Sequence, residues 1–272
     1  VKESMTGELF RRHEASVIRY HASVPDNIRA DYQRMFSEMP RDLYEAAITH
    51  YGLHGGEIGI ARKIRQFQPS HNPFYLGYTD VTPPRTHVQF TGRHDSTEIR
   101  PYEDLKRNLF HEIGHNVYYD FAQSAAAGGR NFRAEFASTY AREIEALRKR
   151  IADADRSDPP KTNAERNAIR PVADYFMPGA SFDRAGAAKE AFCEILSYAA
   201  NGGVHSFNRP DGTPIDIERD FPESARLVRE ATASYIARYD PAKAEHNAAP
   251  VTTPLGRQLR DMDRVPRIMP PL

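Results

Sequence analysis

Residues 101–121 read PYEDLKRNLFHEIGHNVYYDF, and the rest of the chain is placed around this stretch. Pro101 stands where a first helical residue would, its φ already fixed for a helix start. From Tyr102 to about Phe121 the pattern is that of an amphipathic helix. At about 100° per residue, Leu105, Leu109, Phe110, Ile113, Val117 and Phe121 share one face, while Asn108, His111, Glu112, His115 and Tyr119 share the other. A helix buried on one side and bearing two histidines on the other has the geometry a metal site needs.

His111 and His115 are spaced i and i+4, so both imidazoles point the same way and can share one Zn²⁺ at about 2.0–2.1 Å. Glu112 falls at the edge of that face, where its carboxylate can take a proton from the attacking water and return it to a leaving amine. A catalytic zinc keeps three protein ligands and one open position. Gly at 118 and His at 121 would extend the motif to the metzincin form, but Tyr118 and Phe121 stand there and exclude it. A carboxylate from a later helix is the usual alternative. In residues 189–196, KEAFCEIL, Glu190 and Glu194 share one helical face, with Phe192, Ile195 and Leu196 on the other. Glu190 is the expected third ligand and Glu194 the partner that orients a histidine, although the reverse assignment fits the same spacing. Cys193 is expected to pack rather than coordinate. As the chain's one cysteine it excludes both a disulfide framework and a multi-thiolate zinc site. His87, His94 and His205 read as surface or hydrogen-bonded histidines.

Outward from this helix, the first fifty residues read as three helices, carrying Leu9, Val17 and Ile18, then Ile28, Tyr32, Met35 and Phe36, then Leu43, Tyr44, Ala47 and Ile48. Extended segments are expected at 57–61, 74–78 and 86–90, separated by turn residues such as Pro69, Pro73 and the Pro83-Pro84 pair. They would form a small sheet beside the histidine helix. Downstream, Phe132, Phe136, Tyr140, Ile144, Leu147 and Ile151 mark a long helix, residues 153–164 a polar linker, and 187–199 and 222–239 two further helices. The expected fold is a mainly helical α+β, zincin-like metallopeptidase domain over residues 39–240. A helical extension precedes it at 1–38, and a Pro-rich tail follows at 241–272.

Lys and Arg number 37 and so do Asp and Glu, so no global field draws the chain to nucleic acid or to an anionic membrane. No apolar run approaches the roughly 18–20 residues that span a bilayer, so stable membrane insertion is not expected. Val1 in place of an initiating Met reads as the start of a trimmed piece, part of a larger chain or delivery system, so the lack of a leader says little about compartment.

Taken together, residues 111–117 (HEIGHNV) with Tyr118-Tyr119-Asp120, Glu190-Ala191-Phe192-Cys193-Glu194, Phe221-Pro222 and the run from Met39 to Gly52 resemble the anthrax lethal factor-like zinc metallopeptidases, a branch of the gluzincins. The similarity covers roughly residues 39 to 239, and its specific parts are the two glutamate-bearing motifs. The resemblance implies a zinc endopeptidase acting on a protein or peptide substrate, often a toxin or effector that is secreted or delivered into another organism's cells. It also implies a tyrosine that steadies the oxyanion shortly before the ligand glutamate, for which Tyr175 is the candidate and Tyr198 or Tyr119 the alternatives. The chain departs from that pattern between His115 and Glu190, a stretch longer than the family's. Beside the endopeptidase stand a catalytically silent zincin fold used for binding or targeting, and a zinc hydrolase of non-protein substrates.

Overall fold

A computed structural model describes residues 2–73, 75–123, 131–155, 184–203 and 217–242. These form an α+β fold with eight helices and one small mixed sheet. In chain order they are α1 (Lys2–Val17), β1 (Ile18–Tyr20), α2 (Asp26–Glu38), α3 (Arg41–Leu53), β2 (Glu57–Ala61), β3 (Gly77–Val81), β4 (Pro84–Gln89), α4 (Tyr102–Gln123), α5 (Phe132–Asp155), α6 (Arg184–Ala200), α7 (Ile217–Asp220) and α8 (Pro222–Arg238). Sequence residues expected in the tail beyond 242, and in most of the 153–164 linker, lie outside the described residues.

The sheet has the order β1-β2-β4-β3, with β1, β2 and β4 parallel and β3 antiparallel to β4 at the edge. Two elements differ from the sequence reading. Ile18, grouped above with the first helix, opens β1 and pairs with Ile58. Two successive β-branched residues, Val17 and Ile18, make a weak helix end, and pairing with β2 takes over. The segment expected at 74–78 forms its strand at Gly77–Val81 instead, because the hairpin turn falls at Thr82-Pro83 and Pro84 begins β4 opposite Val81. Proline is tolerated at the first residue of a strand.

The apolar face of α4 is buried as its periodicity requires: Leu105, Leu109, Phe110, Ile113, Val117 and Phe121 all belong to the one core. The same core takes in Ile28, Tyr32, Met35 and Phe36 of α2, so the residues before 39 pack with those after. Glu103 and Asp104 in the first turn of α4 complement its dipole. Behind α4, Phe121, Phe132, Phe136 and Phe192 form an edge-to-face cluster joining α4, α5 and α6, with Phe121 and Phe132 centroids 4.7 Å apart. Glu143 of α5 accepts from the Glu223 and Ser224 amides at 2.7 and 3.1 Å, answering the open first turn of α8.

Gly114 sets the approach of α6 to α4. A Cβ built on it would stand 3.1 Å from Cys193 Cα, tighter than side chains normally pack. With only hydrogen there, α6 closes onto the histidine-bearing helix. On the other side α4 lies against β3, where a Cβ at Gly77 would overlap the Glu112 carboxylate. These two glycines bring a helix and a strand edge up to either side of the polar face of α4.

Candidate metal centre

Between β3 and α6 the polar face of α4 floors a cleft of about 820 Å³, with His111, Glu112, His115, Tyr119, Lys189 and Glu190 in its lining. His111 Nε2 lies 3.0 Å from Glu190 Oε2, and His115 Nε2 lies 3.7 Å from the same oxygen. The other ring nitrogens also meet α6. His111 Nδ1 makes an ion-pair contact with Glu194 Oε1 at 2.7 Å, without hydrogen-bond alignment, and His115 Nδ1 is 3.1 Å from Cys193 Sγ. His111, His115 and Cys193 each offer a donor atom within 4.8 Å of the others, close enough to hold a metal ion. Cys193 thus does more than pack.

The donor set can be tested against a zinc ion by its spacing. Three ligand atoms at about 2.0–2.1 Å from a tetrahedral ion stand roughly 3.3–3.4 Å apart. The two distances to Glu190 Oε2, 3.0 and 3.7 Å, fall on either side of that value. Cys193 meets His115 at the opposite edge of the ring. One imidazole cannot turn both nitrogens to a single ion, so Glu190 and Cys193 are alternatives for a given orientation of His115. Two imidazoles with a carboxylate or a thiolate suit Zn²⁺ in either case.

Sequence reasoning missed Arg107. It lies one turn before His111, and its guanidinium grips Glu194 with Nε to Oε2 at 3.0 Å and a terminal nitrogen to Oε1 at 2.9 Å. Ser197 Oγ in turn donates to the Arg107 carbonyl at 3.1 Å. Arg107, His111 and His115 form an i, i+4, i+8 stripe on α4, facing a matching stripe of Glu190, Glu194 and Ser197 on α6. The i, i+4 spacing was the available signal.

Glu112 is buried and turned toward β3, where Thr79 Oγ1 donates to its Oε2 at 2.8 Å. A chain of polar groups leads up to it. Asn116 Nδ2 donates to Tyr51 OH at 2.6 Å, Tyr51 OH meets Thr86 Oγ1 at 2.7 Å, and Thr86 Oγ1 meets Thr79 Oγ1 at 3.2 Å. With one proton per hydroxyl, the amide at the head of the chain orients every donor toward the carboxylate. Burial pushes Glu112 up to about 7, while the charge of His111 and the Thr79 bond pull the other way. Burial also works against the charged form of His111, but Glu194 and Glu190 outweigh it and raise the imidazole to about 10. His115 goes the other way, down to about 3, through burial and the charge of His111. Glu190, despite its own burial, is held ionised at about 2 by the hydrogen bond from His111 and the charge of both imidazoles.

The structure therefore brings together His111, Glu112, His115, Glu190 and Glu194 from the sequence reading and adds Thr79, Arg107 and Cys193. Tyr175 lies outside the described residues, as does His205. Tyr119 lines the cleft, whereas Tyr198 packs at the end of α6, about 3.5 Å from where a Cβ of Gly203 would stand. His87 bonds Glu57 at 2.9 Å and stacks on Phe67, away from the centre. His71, unremarked in the sequence, lines the cleft. No protein-family model matches the chain, and a search of the curated proteins returns no match either.

Proposed function

We propose that this chain is a zinc-dependent endopeptidase with a zincin-like catalytic domain, hydrolysing peptide bonds of a protein substrate. The observation that carries the reading is the convergence of His111 Nε2 and His115 Nε2 on one oxygen of Glu190, with the Glu112 carboxylate buried one residue away on the same helix. His111, His115 and Glu190 would hold the ion, and Glu194 and Cys193 would orient the two imidazoles from behind. Bound zinc supplies Lewis acidity, making water nucleophilic near neutral pH and polarising the scissile carbonyl.

The remaining chemistry belongs to the chain. Glu112, with a pKa near 7, accepts the proton of the attacking water and delivers it to the leaving amine, while Thr79 keeps the carboxylate turned to β3 between transfers. β3 is one of the two edge strands, and no strand pairs with its outer side among the described residues. An extended peptide laid along that edge would gain main-chain hydrogen bonds and bring its carbonyl past His111 and Glu112. Tyr119, the alternative to Tyr175 that lines the cleft, would steady the oxyanion. The resemblance to gluzincin toxins extends the reading to an effector that acts on proteins of another cell. No helix among the described residues is long and apolar enough to cross a membrane.

Metal analysis and a Glu112→Ala variant test this. The purified protein should carry about one zinc per chain. Glu112→Ala should keep zinc and fold while losing at least about 10²-fold in turnover. Mass spectrometry of new peptide N-termini in a treated cell lysate measures the cleavage. Equal cleavage by the variant, or a protein that binds no zinc, overturns the proposal.

A further inference from the structure

Past His111 and Glu190 the cleft opens into a second lobe of about 430 Å³, bounded by Tyr75, Leu76, Arg93, Arg100, Arg107 and Asn108. Its charges pair off unevenly. Glu194 is held by Arg107 and His111, Glu190 by Lys189 and the histidines, and Glu112 by Thr79. Asp104 then remains as the one carboxylate of the lobe, with Arg93 and Arg100 against it. Among the described residues no ion pair joins either guanidinium to a carboxylate. Arg100 gives one terminal nitrogen to the Asp104 carbonyl at 3.3 Å, and its other, Nη1, is buried without a hydrogen-bond partner. Arg93 is exposed and lines both lobes of the cleft, so it stands where the two meet.

Burial disfavours the charge of Arg100, Tyr32 and Asp104 favour it, and Arg107 and Arg93 repel it. Like charges gathered in a half-buried lobe are costly unless an anion joins them. Asn108 gives an amide hydrogen to the Leu76 carbonyl at 3.0 Å, which fixes that wall of the lobe.

We infer that this lobe is a subsite for a carboxylate of the substrate, seated between Arg93 and Arg100 beside the metal centre. The inference rests on the peptidase reading for its substrate class. The carboxylate belongs either to an acidic side chain near the cleaved bond or to the C-terminus of the substrate.

The experiment separates these sources and keeps the two proposals apart. Heptapeptide pools labelled with an uncharged boron-dipyrromethene dye are made in four forms, with Asp and Glu or with Asn and Gln, each with a free or an amidated C-terminus. Binding is read by fluorescence anisotropy on the zinc-loaded Glu112→Gln protein, so it does not depend on turnover. Charge-assisted contacts predict that a carboxylate-bearing pool binds about 10- to 100-fold more tightly than the amidated Asn/Gln pool. Which form gains the affinity identifies the source. Arg93→Gln, a change at an exposed side chain, should bring that ratio close to one. Indistinguishable binding of all four pools, including none at all, or a ratio untouched by Arg93→Gln, overturns the subsite. Carboxylate-dependent binding with no cleavage by the intact protein would keep the subsite and overturn the peptidase, and cleavage without carboxylate preference would do the reverse.

Discussion

Replacing Arg107 by Met removes both nitrogens that hold Glu194 at 2.9 and 3.0 Å, while the contact of the carboxylate with His111 remains. Both side chains are largely covered, with 17% and 8% of their surfaces exposed. Breaking a pair this deep costs about 3–5 kcal/mol, because a buried carboxylate loses the guanidinium that compensates its charge. Arg107→Met should therefore unfold at markedly lower urea. Glu194→Leu added to it removes the stranded charge, so the double variant should regain most of that loss. Zinc affinity should behave differently. His111 keeps Glu194 without the guanidinium that holds it in the single variant and loses Glu194 itself in the double variant, so the zinc Kd, measured by competition with a chromophoric chelator, should rise in both, by roughly 10- to 100-fold in the double variant. Stability recovered with affinity still weakened is the signature of a residue that positions the metal site through Glu194. A double variant that binds zinc as tightly as the unaltered protein would refute it.

Two further outcomes follow from the same geometry. Glu190→Ala should abolish tight zinc binding while Cys193→Ala changes it by a few-fold at most, and the opposite pattern in metal analysis would make the thiol the third ligand. Outside the lining of the cleft, His50 is buried, bonded to Tyr235 OH at 2.9 Å and stacked on Tyr239. Burial, then the charges of His54 and Arg238, depress it from 6.5 to about 3. Between those values the unfolded chain takes up a proton that the folded one refuses. This contribution is therefore complete above about pH 6.5 and lost as pH falls toward 3, amounting to at most about 5 kcal/mol. The urea midpoint of His50→Gln should fall less steeply with acid than that of the unaltered protein, and parallel pH profiles would count against a neutral, buried His50.

What could be read in advance was whatever a single element carries. The α4 periodicity places Leu105 through Phe121 in the core and the histidines opposite, because a helix fixes its own faces. Glu190 and Glu194 were legible for the same reason. Pairings between elements were not. Ile18 joins a strand because Ile58 lies beside it, and the edge strand falls three residues later than its composition suggests because the hairpin turn sets its register. Cys193 meets His115, and Thr79 meets Glu112, across interfaces that no local pattern encodes. Arg107 was visible as the start of an i, i+4, i+8 stripe, but its role depends on a glutamate 87 positions away.

The same separation has a consequence for how the molecule holds itself together. His111 and Glu190 touch across 79 positions of chain. The protein has no disulfide to restrain that span, since Cys193 is its one cysteine. An ion gripping both helices would act as a reversible cross-link, closing a loop of that length. By the chain-entropy argument used for cystines, such a closure is worth about 4–5 kcal/mol. Loading with metal would then be a folding event as much as an activation step, and a chelator would lower the melting temperature of the whole α4–α6 core along with emptying the cleft.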